Sequence, residues 1–331
     1  MIFRWIVSKI YFMFIRIRQF IYSKGIKKRY ESRLPVASIG SIEFGGTGKT
    51  PMAYYIIEYL QKMGFTPILL SRGYGRMKSE QVIARGRIKN GSHKDFGDEP
   101  YMINQKTACD MIIHKDRAAS AKIAETMNIE KPVLVLDDGF QYMKLIADID
   151  IILLTGGTSI KERKMFPFKD KEGYSMTFRD SPNRLKEADF IFMKDERIDD
   201  IDDFSDAAKY IFSYRVNNDA AFDKVVLLSA IARNERFYET ASQFDCEIIE
   251  HFKFKDHHNY EPGELSSIIA FASGHNCDAI LTTEKDYYRI PTEFLTKFKF
   301  IPIRIVIEIE NENDFIDKFT KKLEGNLEIL F

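Results

Sequence analysis

Short apolar runs rich in β-branched residues alternate with longer amphipathic stretches along most of the chain. Residues 35–39, 66–70, 110–113, 133–136, 149–154 and 189–193 read as strands, and 51–63 reads as the helix between the first two. Continuous apolar runs, rather than strict alternation, mark strands buried on both faces. This β-α repetition predicts an α/β fold, a parallel sheet with helices on both faces and ligands at its carboxyl edge. A second block follows, with strands expected at 225–230, 247–251, 279–282 and 298–302 and helices at 234–244 and 262–273. Segments 210–216 and 303–309 are expected to pair as a two-stranded ribbon joining a smaller α/β lobe to the first, and 315–323 to return as a helix. The expected division is a basic amphipathic helix at 1–30, a first domain at 31–209, a smaller lobe with its ribbon at 210–310 and a returning helix at 311–331.

The amino-terminal head has a different pattern. Phe3, Ile6, Val7, Ile10, Phe14 and Ile17 share one stripe of a helical wheel, with most cations elsewhere. The longest uncharged run, 10–15, has six residues, against the ~20 that a spanning helix needs. No small-residue cleavage site follows, which disfavours a removable signal peptide. A basic amphipathic helix lying on an anionic membrane fits better than a span; the alternative is a helix packed on the protein's own core.

Charge and cysteine usage narrow the partners. Lys and Arg (49) balance Asp and Glu (49), yet eight cations and no acid fall within residues 1–30, leaving 41 basic against 49 acidic residues beyond. A mildly acidic body argues against general nucleic-acid binding. The three cysteines, Cys109, Cys246 and Cys277, lie far apart, a poor disulfide framework and a poor zinc site.

The first predicted strand enters Glu43-Phe44-Gly45-Gly46-Thr47-Gly48-Lys49-Thr50 and then the helix at Pro51. This is a phosphate loop with Glu43 at the usual first glycine. Backbone N–H groups and the helix amino terminus would cradle a nucleotide's phosphates, Lys49 would reach the β- and γ-phosphates, and Thr50 would offer its hydroxyl to Mg²⁺. The strand at 133–136 ends in Asp137-Asp138-Gly139-Phe140-Gln141, carboxylates at the strand end where Mg²⁺ and phosphoryl chemistry belong. Adjacent side chains diverge on a strand, so one would hold the metal or its water and the other would point toward the acceptor or toward a base behind it. Three activities remain open on these residues: a kinase, a P-loop ligase or synthetase acting on a soluble metabolite, and a membrane-bound P-loop switch. The switch would need a guanine-reading Asn-Lys-x-Asp, which Thr282-Thr283-Glu284-Lys285-Asp286 is not; ATP is therefore the expected nucleotide.

In order along the chain, the residues resemble the tetraacyldisaccharide 4′-kinase family of the P-loop NTPase superfamily. The resemblance rests on the basic helix, Gly45 to Pro51, Ser71-Arg72-Gly73-Tyr74-Gly75-Arg76 and Gly97-Asp98-Glu99-Pro100. It continues through Leu136 to Gln141, Arg179, Arg184-Leu185-Lys186-Glu187-Ala188-Asp189, Asp256-His257-His258 and Leu281 to Asp286. Three departures stand out: Ser41 replaces an asparagine, Asp180 replaces a glutamate, and extra residues around 169–176 precede Arg179. The resemblance implies transfer of the ATP γ-phosphoryl group to the 4′-hydroxyl of a tetraacylated disaccharide 1-phosphate, giving lipid IVA in lipid A synthesis. It implies a monomer at the cytoplasmic face of a bacterial inner membrane, held peripherally or by one amino-terminal anchor.

The implied roles can be set beside a residue-level reading. Phosphoryl transfer needs a carboxylate to accept the sugar proton. Asp98, which by itself reads as a helix cap before Pro100, takes that role through the resemblance, supported by Asp138 and His257. Asp137 joins Thr50 at the metal. Ser71, Arg72, Gly73, Tyr74, Gly75 and Gln141 are expected to meet the lipid disaccharide, Tyr74 with a flat face and hydroxyl tip suited to a sugar.

Overall fold

The computed structural model describes residues 2–77, 80–168, 177–217, 221–231 and 233–330; the extra residues at 169–176 lie outside them. The strands are β1 (Val36–Gly40), β2 (Thr66–Ser71), β3 (Val82–Ala84), β4 (Asp110–Ile113), β5 (Pro132–Asp137) and β6 (Ile149–Gly157). They continue with β7 (Phe190–Ile198), β8 (Ala208–Asn217), β9 (Lys224–Ser229), β10 (Glu247–Lys253), β11 (Ala279–Thr283) and β12 (Phe300–Ile309). They form one sheet in the order β10-β9-β11-β12-β8-β7-β6-β1-β5-β2-β4-β3. From β8 to β4 every pairing is parallel, and β3 closes the edge antiparallel. The chain leaves β1 for the β5 side and later returns to the β6 side. This switch point opens a crevice at the carboxyl end of β1, and the register that sets Ile39 beside Asp137 brings the β5 acids level with it.

The helices are α1 (Ile2–Ser23), α2 (Lys49–Lys62), α3 (His93–Phe96), α4 (Asp98–Thr107), α5 (Arg117–Ala124), α6 (Asn234–Ala241), α7 (Pro262–Gly274), α8 (Glu284–Tyr287), α9 (Thr292–Leu295) and α10 (Glu312–Leu330). Helix α2 buries Met52, Ala53, Ile56, Ile57 and Leu60, the stripe that a 3.6-residue period places on one face. Phe315, Phe319 and Leu323 of α10 repeat the device at four-residue spacing, and Phe315 meets Phe190, Phe192 and Tyr210 with ring centroids 4.9–5.5 Å apart. Helix α5 carries no large apolar stripe. Its buried face is Ala118, Ala121 and Ala124, and Asp116 caps it by accepting the Ala119 N–H; the expected elements omit it and the short edge strand β3.

Sequence pattern divides 298–309 into two strands, whereas the structure has one. Phe300 to Ile303 pair in parallel with β11, and Arg304 to Ile309 pair antiparallel with β8. The strand changes partner without changing conformation. A smaller parallel unit, β10-β9-β11, therefore joins the larger sheet through β12 and β8.

Helix α1 turns its apolar face outward. Phe3, Ile6, Ile10, Met13, Phe14, Ile17 and Phe20 are all exposed, Phe3 at 77%, while Ser8 is buried and Tyr11, Phe12, Ile15 and Gln19 are partly covered. Among the described residues no helix is long and apolar enough to cross a membrane.

Candidate active site

Beyond β1 the backbone turns through Gly45 (φ 95°) and Gly48 (φ 94°) into α2 at Lys49. A Cβ at Gly48 would lie 2.5 Å from the Tyr214 hydroxyl, so conformation and space both require glycine there. The unpaired amides of the first turn of α2 face the crevice as an anion-binding end. Gly45, Gly46, Thr47, Gly48, Lys49 and Thr50 line this turn, the stretch expected from sequence to cradle phosphates.

Glu43 and Phe44 do not belong to it. Glu43 is fully buried, its carboxylate paired with the equally buried Arg163 and accepting the Thr155 N–H at 3.0 Å. Its own N–H donates to Ser41 Oγ at 3.0 Å, and the Phe44 N–H donates to the Thr177 carbonyl at 2.9 Å. The backbone here bridges to Phe178, so both amides are already spent, and the Glu43 side chain is buried in the core. Both are braces, a correction to their expected place at the nucleotide.

The two acids at the end of β5 part company, Asp137 as its last residue and Asp138 in the turn beyond it. Asp137 is buried; its Oδ2 accepts from Ser71 Oγ at 3.4 Å and its Oδ1 has no hydrogen-bond partner. Burial, with Glu99 and Asp138 nearby, pushes its pKa up to about 7 against the opposing pull of Lys49. Asp138 is left-handed (φ 48°) and its carboxylate is gripped by Arg179, Nη2 to Oδ1 at 2.5 Å and Nη1 to Oδ2 at 3.2 Å, with Lys49 Nζ at 3.8 Å. Burial opposes its ionisation, but Arg179 and Lys49 outweigh it and hold the carboxyl below its usual range. Asp138 thus joins the phosphate-loop lysine to Arg179. Its contacts are with Arg179 and Lys49, not with Asp98, so any support it gives the base is indirect. Burial also holds the Lys49 ammonium below its usual range despite Asp138.

Two glycine-containing loops bring the remaining groups together. Gly73 (φ 67°) and Gly97 (φ 95°) pack backbone to backbone; a Cβ at Gly97 would sit 3.0 Å from Gly73 Cα and from the Tyr74 carbonyl. Gly97, not Asp98, precedes α4, so Asp98 is its first helical residue and its side chain is not spent on a cap. Asp98 is buried and its Oδ2 lies 2.7 Å from His257 Nδ1 and 3.7 Å from Arg289 Nε. Burial raises its carboxyl, but the hydrogen bond with His257 and the charges of Arg289 and Lys285 dominate and bring it below its ordinary value. His257 comes from the loop after β10, in a left-handed conformation (φ 62°), with its ring against exposed Tyr74 at 5.7 Å. A cavity of about 330 Å³ opens here, lined by Gly75, His93, Asp98, His257 and Asn259 among others. His258 points elsewhere, bonding Glu264 at 2.8 Å and stacking on Phe254.

Of the expected acceptor residues, Ser71, Gly73, Tyr74 and Gly75 lie around this junction, and Arg72 is exposed beside it. Gln141 lies apart, donating to the Ser41 carbonyl at 2.8 Å, while Arg18 of α1 donates to its backbone carbonyl. Helix α1 is pinned beside Arg179: Tyr11 donates to the Arg179 carbonyl at 2.9 Å and Gln19 to Asp180 at 3.0 Å. Asp180 in turn holds Arg184, which also donates to the Phe140 carbonyl and braces the turn after β5.

Sequence reasoning missed Lys285, Arg289 and the Lys106–Glu284 pair (2.7 Å) that fastens α4 to α8. The Thr282 to Asp286 string was the available signal, but the loops it meets are remote in sequence. Thr283 caps α8, and Asp286 accepts the Ala230 N–H and a bond from Arg289.

The family model for tetraacyldisaccharide-1-P 4′-kinase matches residues 1–324. The chain belongs to this family. The tetraacyldisaccharide 4′-kinase of Desulfotalea psychrophila is 28% identical over 328 residues, covering 94% of this chain and 93% of that one. The Idiomarina loihiensis enzyme is 27% identical over 291 residues, covering 85% and 81%. Among solved structures, Aquifex aeolicus LpxK, described as an apo form in complex with ATP, superposes with a TM-score of 0.74 at 22% identity over 96% of this chain and 97% of that one. The likeness extends the mixed, mostly parallel α/β fold across nearly the whole chain. Membership decides among the three readings of the phosphate loop: the chain is a kinase of lipid A biosynthesis, and the soluble-metabolite ligase and the switch are set aside.

Proposed function

We propose that this kinase uses Asp98 as the base that takes the proton from the 4′-hydroxyl of a tetraacyldisaccharide 1-phosphate as the γ-phosphoryl group of ATP is transferred. The observation that carries this reading is the Asp98–His257 contact of 2.7 Å at the cavity edge. Asp98 is held ionised at neutral pH, the state a proton acceptor must start from. The acceptor sugar would enter past Tyr74 and Gly75, and the amides of Gly45 to Thr50 with Lys49 would hold the phosphates. Arg179, through Asp138, keeps Lys49 facing them.

The residues present also fit Mg²⁺. Asp137 offers a buried carboxylate oxygen without a partner, beside Glu99 and Asp138, and Thr50 stands in the adjacent first turn of α2. Among the described residues no three His, Cys, Asp or Glu side chains form a ready metal cage, as suits an ion whose other ligands are phosphate oxygens and water. Bound there, the ion would neutralise charge on the transferring phosphates.

The enzyme is proposed to work at an anionic membrane surface, on the cytoplasmic face of the inner membrane and as a monomer. Its outward apolar face on α1, flanked by Lys9, Arg16 and Arg4, would lie among the lipids, with the α1 anchor at Arg179–Asp180 placing the site beside that surface.

Two variants separate base from metal ligand. Asp98→Asn is expected to depress kcat by roughly 10²–10⁴-fold with little change in the KM for ATP, since the amide cannot take the proton. Asp137→Asn is expected to raise the Mg²⁺ requirement and to be partly rescued by added Mg²⁺. Rescue of Asp98→Asn by Mg²⁺ would refute the assignment.

A further inference from the structure

We infer that Lys285 is a positioning residue that locks His257 in a single neutral tautomer, and through it keeps Asp98 basic and aimed at the acceptor; the inference rests on Asp98 being the base. Lys285 Nζ lies 3.2 Å from His257 Nε2. A lysine ammonium only donates, so Nε2 must accept. The single proton of the neutral ring is therefore on Nδ1, where it is donated to Asp98 Oδ2 at 2.7 Å. In this arrangement His257 has no nitrogen left to take the acceptor's proton.

Charges of both signs surround the ring. His257 is faced by Asp98 from α4, by Lys285 from α8, by Asp256 from its own loop at 3.8 Å and by the Tyr74 ring from the loop after β2. Asp256 also accepts from Lys285 at 3.3 Å, which holds the ammonium in place. Arg289 faces Asp98 at 3.7 Å, and His93 of α3 is engaged with Asn259. Protonating His257 would set an imidazolium against the Lys285 ammonium at 3.2 Å, an unfavourable pair in a partly desolvated site.

Lys285 is held where it can act. Helix α8 is fastened to the far end of α4 by Glu284–Lys106, with Lys106 resting over the Tyr54 ring of α2 at 3.8 Å. Arg289, just beyond α8, is anchored by Asp286 at 3.1 Å and by the His258 carbonyl. Helix α8 and the arginine just beyond it thus hold the two ends of the helix that begins with Asp98.

The test uses the full-length protein in detergent with ¹⁵N-labelled histidine, His257→Gln assigning the ring signal. The parent is expected to show His257 as the Nδ1–H tautomer. As the pH falls, Lys285→Met is expected to exchange that signature for the doubly protonated ring before the parent does, and to move the acid limb of the kcat profile to higher pH. Removing the cation lets the ring protonate, and an imidazolium beside Asp98 makes a poorer base. At pH 6 turnover should fall by about fivefold or more with the KM for ATP unchanged. Lys285→Arg is expected to keep the tautomer and most of the turnover, a rescue that loss of packing alone would not produce. Lys285→Met retaining both the Nδ1–H signal and the parent's acid limb would overturn the inference. Undiminished turnover in Asp98→Asn, with the tautomer still set by Lys285, would instead remove Asp98 as the base and leave the lock standing.

Discussion

Glu43→Gln tests whether the residue at the head of the phosphate loop is a brace or a nucleotide contact. Both charged side chains of the Glu43–Arg163 pair are fully buried. Removing one partner of such a pair leaves the other charge uncompensated, with a typical loss of about 3–5 kcal/mol. Glutamine can still accept the Thr155 N–H, and Arg163 keeps its bonds to the Thr155 and Thr158 carbonyls. The lower end, about 3 kcal/mol, is therefore expected. At roughly 2–4 °C per kcal/mol for chains somewhat shorter than this one, the melting midpoint should drop by about 5–10 °C. Thermal and urea unfolding measure that drop, and steady-state kinetics below the transition measure the KM for ATP, which should stay within about twofold because the side chain does not reach the crevice. Combining Glu43→Leu with Arg163→Met should recover part of the loss, since the lone buried charge is gone. A Glu43→Gln protein that melts with its parent but binds ATP several-fold more weakly would refute the reasoning and return Glu43 to the nucleotide.

Two further outcomes are expected. Replacing Phe3, Ile10 and Phe14 together by serine removes apolar area from the exposed face of α1 without touching Tyr11 or Gln19. It should weaken partition onto anionic vesicles by about 3 kcal/mol, roughly a hundredfold, at an unchanged melting temperature; equal sedimentation with vesicles would place the membrane contact elsewhere. Asp150 on β6, its pKa pushed up to about 6 by burial and by Asp189, binds its proton more tightly folded than unfolded. Stability should therefore fall as pH rises from about 4 through 6. Asp150→Asn should remove about 1–2 kcal/mol of that loss, discounted for partial exposure; parallel unfolding at pH 4.5 and 7.5 measures it, and an identical pH slope in the variant contradicts it.

Elements whose reason is local were legible in the residue string. The buried strands, the phosphate loop between β1 and α2, the acids after β5 and the apolar stripe of α10 follow from period, glycine placement and side-chain size. Even so, α5 escaped notice, because an alanine face gives no apolar signal. What depends on partners remote in sequence was decided by tertiary structure. The string cannot show that Glu43 turns inward to Arg163, a pairing across 120 positions. Nor does it tell that Asp138 is gripped by Arg179, 41 positions on, since that follows from one left-handed residue and the position of Arg179. The exposed stripe of α1 is written in its sequence; which edge of the protein it borders was set by Tyr11 and Gln19 meeting Arg179 and Asp180. The same holds for the base. Asp98 and His257 are 159 positions apart, and only the partner change along β12, together with α8 docked on α4, closes that distance to a hydrogen bond.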